Sequence, residues 1–139
     1  MLRGLTVGFG GDPALRAGFG SAGSQFGTLV HVAASGHWET IADVSAYEAT
    51  PNPDGFLVDS NPYGVFAAPG ARIVADAGAN ALLQVKANGD VSTLAVFPAR
   101  PGRSTDSVAT AVAIGPDGAI YVSNGGISIG TGEVLKIEP

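Results

Sequence analysis

The side chains with the most chemical promise in this sequence are hard oxygen donors. Asp54 and Asp59 fall, with Asn61, in one long segment rich in turn residues. Asp76, Asn80 and Asn124 each follow a short apolar run. If Asp54, Asp59, Asp76, Asn80 and Asn124 converged, they could hold calcium, a cation that takes many oxygen ligands from carboxylates and amides. No stretch carries the calcium-loop spacing with its terminal Glu. The plain alternative is that each Asp or Asn caps its own turn. Calcium is therefore the one cofactor to be considered, and Asp54, Asp59, Asp76, Asn80 and Asn124 are its candidate ligands.

Other reactive types are sparse or badly placed. There are two histidines and no cysteine, which excludes thiolate zinc, disulfides and a cysteine nucleophile. His31 lies in a strand-like run and His37 beside a turn, so both read as surface histidines. Serines are plentiful, but none sits in a Gly-x-Ser-x-Gly elbow. Gly8-Phe9-Gly10-Gly11 and Gly18-Phe19-Gly20 resemble phosphate loops only superficially, since neither leads into Gly-Lys-Ser/Thr. Arg16, Arg100 and Arg103 fall in long connecting segments, where they could meet a carboxylate or phosphate. Solvated loop charge is their simpler reading. No residue is assigned a catalytic role.

Those groups must be held by strands. The chain has 139 residues, a net charge of −5, 14% charged residues and 45% hydrophobic ones. This suits one ordinary domain, and its mildly acidic balance argues against nucleic acid as a partner. No apolar run is long enough for a spanning helix, and the first residues do not read as a signal peptide. The region Pro62 to Pro69 reads as a buried strand.

Short β-rich runs alternate with turn signals, and they repeat. Leu29 to Ala42 aligns with Leu82 to Ala95, 53 residues on. Leu29/Leu82, Val32/Val85, Gly36/Gly89 and Thr40/Thr93 are identical pairs. Val65 to Asp76 aligns with Val112 to Ser123, 47 residues on, and Val134 to Ile137 repeats Leu82 to Val85, 52 residues on. Each unit reads as a hairpin.

Four antiparallel strands per repeat of this length is the arithmetic of a β-propeller blade. With strands lettered a to d from the inside out, residues 63–68, 72–76, 81–86 and 91–97 form one full blade. Upstream, 5–7, 28–33 and 37–42 supply b, c and d. Downstream, 110–114, 119–123 and 133–137 supply a, b and c.

The expected fold is therefore all-β and propeller-like. It is a single partial domain over 1–139, with blade-like units at about 1–44, 60–98 and 108–139. That is about two and a half blades, so the ring is incomplete in one chain. Small residues such as Ala67, Ala68, Ala111 and Ala113 suit the crowded inner strands. Trp38, Ile41 and Phe97 supply bulk further out. The incomplete ring leaves open apolar faces that a homo-oligomer could close. The connections 8–27, 43–62, 98–109 and 124–132 are long and emerge on one rim, where binding usually resides.

Several segments carry a family resemblance. Leu5-Thr-Val-Gly-Phe-Gly-Gly-Asp-Pro-Ala-Leu-Arg16, Gln25-Phe-Gly-Thr-Leu-Val30 and Asp59-Ser-Asn-Pro-Tyr-Gly-Val65 resemble the ScyD/ScyE-type proteins. So do Ile73-Val-Ala-Asp-Ala-Gly-Ala-Asn-Ala-Leu82, Thr93-Leu-Ala-Val-Phe-Pro98, Ser104-Thr-Asp-Ser-Val108, Ile114-Gly-Pro-Asp-Gly118 and Gly132-Glu-Val-Leu-Lys-Ile-Glu138. The resemblance implies a relative of the NHL and SMP-30-type propellers, extracellular or periplasmic. It carries over no catalytic residue. Family members are longer and have a signal peptide, so this chain reads as a truncated or internally deleted form.

The expected function is a non-catalytic binding or interaction module with an unknown ligand or protein partner and no membrane insertion. The alternatives are a calcium-dependent, lactonase-like hydrolytic propeller and a structural fragment without activity of its own.

Overall fold

The computed structural model describes residues 4–98, 107–125 and 129–138. Ten strands form, in chain order. They are β1 (Gly4–Val7), β2 (Thr28–Val32), β3 (Trp38–Asp43), β4 (Pro62–Ala68), β5 (Ala71–Asp76), β6 (Ala81–Lys86), β7 (Val91–Val96), β8 (Ala109–Ile114), β9 (Ile120–Asn124) and β10 (Glu133–Ile137). They pair antiparallel into three sheets, β1-β2-β3, β4-β5-β6-β7 and β8-β9-β10. Among the described residues the first sheet has no strand inside β1, and the third has none outside β10. The all-β, partial-propeller expectation is what the chain adopts. Two short helices, α1 (Pro13–Gly18) and α2 (Val44–Glu48), and a 3-10 helix over Gly20–Gln25 interrupt connections expected to be irregular.

The middle sheet is covered on both faces, and its sequence shows why. Side chains alternate sides along a strand, so a doubly covered strand carries a near-continuous apolar run, here Ile73-Val74-Ala75 in β5 and Ala81-Leu82-Leu83 in β6. Val74, Ala81, Leu83 and Val85 pack with Leu29, Ala42 and Val44 of the first sheet and its following segment. Ile73, Ala75 and Leu82 point the other way, and with Phe97 they meet Ala109 and Val122 of the third sheet. Leu29, Leu82 and Leu83 are fully buried. Each such leucine contributes about 1.5–3 kcal/mol through burial.

Strand pairing confirms one repeat register and corrects another. Leu29 pairs with Ala42 and Val30 with Thr40, across a bulge. Leu82 pairs with Ala95 and Leu83 with Thr93, across a bulge at the same place. The spacing of 53 between these hairpins is thus a structural equivalence. The spacing of 47 holds only for the inner strand. Val65 pairs with Val74, and Val112 pairs with Val122. Val74 is therefore matched by Val122, 48 residues on, and Asp76 by Asn124 rather than Ser123. The turn after β8 is longer than the Pro69-Gly70 turn after β4, and the extra length shifts everything behind it. In a strand a one-residue slip exchanges the two faces. The shifted register puts Val122 on the correct, buried side.

β4 also departs from expectation. It was read as buried, yet most of it is half-buried and Tyr63 is exposed. The reason is its place as the inner edge strand of its sheet, lying against β1 and β8 rather than beneath a full layer. Contact with β8 is close. A Cβ on Gly64 would sit 2.6 Å from the Thr110 carbonyl oxygen, so only glycine fits there. Of the bulky outer residues, Phe97 is buried between sheets, whereas Trp38 is exposed.

Candidate functional site

Two long connections, 8–27 and 43–61, meet on one rim and build its surface together. Each contains a helix with a carboxylate at its start. Asp12 caps α1, accepting from the Leu15 N–H at 2.7 Å, and Pro13 occupies the first turn where no N–H is needed. Asp43 caps α2, accepting from the Ala46 N–H at 2.9 Å. The same Asp43 receives both terminal nitrogens of Arg16, each at 2.8 Å. Arg16 also donates to the Gly23 and Ser24 carbonyls, at 3.3 and 2.6 Å. The guanidinium expected to be solvated is instead the pin between α1, the 3-10 helix and α2. The fork geometry of arginine makes such a bidentate pair specific.

Between these helices lies an open cleft of about 440 Å³. Pro13, Ala17, Gly20, Ala46 and Ala49 line it, together with Arg16 and two serines, Ser24 and Ser45. Beneath it, Gly27 adopts a φ of 71° and lies against Ser45, so closely that any side chain at 27 would collide with the Ser45 hydroxyl. The glycine-flanked phenylalanines form an aromatic cluster rather than a phosphate loop. The Phe9, Phe19 and Phe26 rings meet edge-on, with centroids 5.5–6.3 Å apart. Phe9 holds a φ of 65°, unusual for a bulky residue, and its N–H donates to Asn61 Oδ1 at 2.8 Å.

Deeper, two buried carboxylates hold the chain where it enters the middle sheet. Asp76 Oδ2 accepts from Ser60 Oγ at 2.6 Å. Its Oδ1 accepts from the N–H groups of Asn61, Gly78 and Ala79 at 2.6, 3.1 and 3.1 Å. Glu48, at the end of α2, accepts from the Asp59 N–H at 3.3 Å and from the Ser60 N–H. Both side chains are fully buried. Burial pushes Glu48 up from 4.5 to about 7, and the nearby negative charges of Asp76 and Asp59 add to the rise against the opposing backbone hydrogen bonds. Asp76 is raised too, by burial, despite its four donors.

The five proposed calcium ligands are distributed over this rim in separate roles. Asp54 accepts from Asn80 Nδ2 at 2.7 Å and from the Phe56 N–H at 3.0 Å. Asp76 is occupied as described, and the Asp59 backbone serves Glu48. Asn124 belongs to the next junction, donating to Ser107 Oγ and Glu133 Oε1, each at 3.3 Å. The structure thus joins Asp54 to Asn80 and leaves Asn124 apart. Among the described residues no three His, Cys, Asp or Glu side chains form a group that could hold a metal. His31 lies 3.4 Å from Glu39, and His37 is exposed elsewhere. Arg100, Arg103, Ser104 and Ser128 lie outside the described residues.

Sequence reasoning missed Glu48, Ser60 as a pair with Asp76, and the helices themselves. A signal for the helices was present. Asp12-Pro13 and Asp43 before an Ala- and Glu-containing run are N-terminal helix signatures.

No protein-family description matches the chain, and no curated protein does. Among solved structures, a catalytically inactive variant of virginiamycin B lyase from Staphylococcus aureus, with quinupristin, matches at a TM-score of 0.50 and 18% identity. The match covers 81% of this chain and 34% of that one, so the chain spans about a third of the length of the structure it matches. That protein is a β-propeller. At this identity the likeness is one of fold, and it places the three sheets as consecutive propeller-like blades.

Proposed function

We propose that this chain is a non-catalytic binding module, with its ligand site in the cleft between α1 and α2. One observation carries the reading. The one charged residue lining the cleft, Arg16, is spent on Asp43, and apart from Ser24 and Ser45 the rest of the lining is alanine, glycine and proline. Such a surface suits the neutral, apolar part of a small molecule. The buried acids Glu48 and Asp76 hold backbone, which fits a structural role better than acid–base chemistry. The ScyD/ScyE resemblance, and the extracellular or periplasmic setting it implies, fit the same reading.

The neutral fluorescent probe N-phenyl-1-naphthylamine tests it. Binding should saturate, and Ala46→Trp, which fills the cleft from an exposed helix position, should weaken it at least tenfold. Binding that Ala46→Trp leaves unchanged would overturn the assignment. Calcium is the competing ligand. Under the proposal, millimolar calcium shifts neither the probe titration nor the melting temperature. A calcium-dependent rise in either would favour the rim carboxylates and the hydrolase-like reading.

A further inference from the structure

The two outermost sheet faces differ from ordinary surface in a way the internal repeat makes interpretable. Strand pairing matches Leu5, Val30, Val32 and Trp38 of the first sheet to Val74, Leu83, Val85 and Val91 of the middle sheet. In the middle sheet that face is covered by Leu29 and Ala42 of the preceding sheet and by Val44 at the start of α2. In the first sheet it is open. It forms a groove of about 280 Å³, lined by the same four residues with Val7 and Gln25, and Leu5 is 55% and Trp38 51% exposed. Among the described residues nothing charged lines it.

The covering side is also defined by the repeat. Leu29 and Leu82 occupy one equivalent position on the faces that cover a following sheet, and both are 0% exposed. The third member of that set is Val134, which pairs with Ser123 on β10 and is 68% exposed. One molecule therefore carries an unfilled receiving face at one end and an unused covering face at the other. Both have the register of the interfaces already formed between its sheets.

We propose that the receiving face on β1-β2-β3 docks the covering face, around Val134 and Tyr121, of a second copy of this chain. The contact is head-to-tail and continues the sheet stacking across molecules. Such a heterologous interface grows into a ring or an open stack, because each added copy presents a new free face.

Light scattering over a rising concentration series should show species larger than one chain. Trp38→Asp spoils the receiving face and Val134→Asp the covering face, and each variant alone should be a monomer. Mixed one to one, they should form a dimer and nothing larger, since each keeps the face that the other lacks. Thr40→Arg and Ser123→Arg, on the same two faces, repeat the experiment if either first variant loses its circular dichroism. A wild-type protein that stays monomeric at the highest concentration overturns the proposal. So does a Val134→Asp variant that still associates, which would mean symmetric pairing of receiving faces, and so does a mixture that remains monomeric.

Discussion

Two junctions in this molecule occupy the same place in successive sheets and solve the same problem differently. At each, a serine lies just before an inner strand, and an Asp or Asn ends the next strand beside it. In the middle sheet the pair is Ser60 and Asp76. In the third sheet it is Ser107 and Asn124. The backbone closes alike, with the Ala77 N–H donating to the Asn61 carbonyl and the Gly125 N–H to the Val108 carbonyl, at 2.9 and 2.7 Å. The side chains do not. Asp76 gathers four donors, whereas among the described residues Asn124 makes two long hydrogen bonds through its amide nitrogen and its buried Oδ1 has no partner. The first junction is backed by a second fully buried acid, Glu48, which holds the Ser60 backbone, whereas the acid beside Asn124 is the half-buried Glu133 of β10. A carboxylate organises more backbone than an amide, because it accepts only and accepts at both oxygens. It also makes the junction sensitive to protons.

The strongest way to break the comparison is to remove each of the two side chains. Asp76→Ala should cost about 3 kcal/mol or more in urea unfolding, since it strands buried donors that water cannot reach. Asn124→Ala should cost about 1 kcal/mol, because its bonds are fewer and longer. Equal losses would mean that the backbone closure alone holds both junctions.

Proton dependence comes next. The folded protein raises Glu48 to about 7, so it favours the protonated form. That contribution to stability is fully present below about 4.5 and is lost as pH rises through about 7. The raised Asp76 acts in the same direction. Unfolding at pH 5 and pH 8 should therefore show a less stable protein at pH 8. Glu48→Gln should flatten the difference by stabilising the protein at pH 8. A Glu48→Gln variant with the wild-type pH profile would place the dependence elsewhere.

Losing a single serine hydroxyl should cost less than losing Asp76. Ser60→Ala removes the 2.6 Å bond to a buried carboxylate and should cost about 1.5–3 kcal/mol. Ser107→Ala removes contacts of 3.3 Å and should cost about 0.5 kcal/mol. If the two losses matched, the charge on Asp76 would not be what distinguishes the junctions.

What the sequence made legible follows from the range of each interaction. The strands were readable because alternation and turn residues are local, and the hairpin repeat was readable because Leu29/Leu82 and Thr40/Thr93 kept their spacing. The register error behind β8 arose where the turn 115–118 replaced Pro69-Gly70. There, similar residues one step apart, Ile73 and Ile120, align convincingly in sequence yet face opposite ways. The rim acids resisted for a different reason. Glu48 meets Ser60 only because α2 turns back on its own loop, and Ser60 meets Asp76 only across a strand pair. Nothing in the residues between them encodes that approach locally. Arg16 and Asp43 are the same case, since each reads singly as a surface charge.

The uneven turns after β4 and β8 have a further meaning for how such a chain can change. A residue added inside any strand would turn every later side chain in that strand from one hydrophobic layer towards the other. A residue added in the turn 115–118 does no such harm, because the downstream strand simply re-enters with its faces restored. Length can therefore drift at the rims, by one residue on the plain side or by a whole helix on the other, while the interval between the rims stays fixed. Grafted peptides, tags or duplicated loops belong at those turns, and the two layers beneath would not register their arrival.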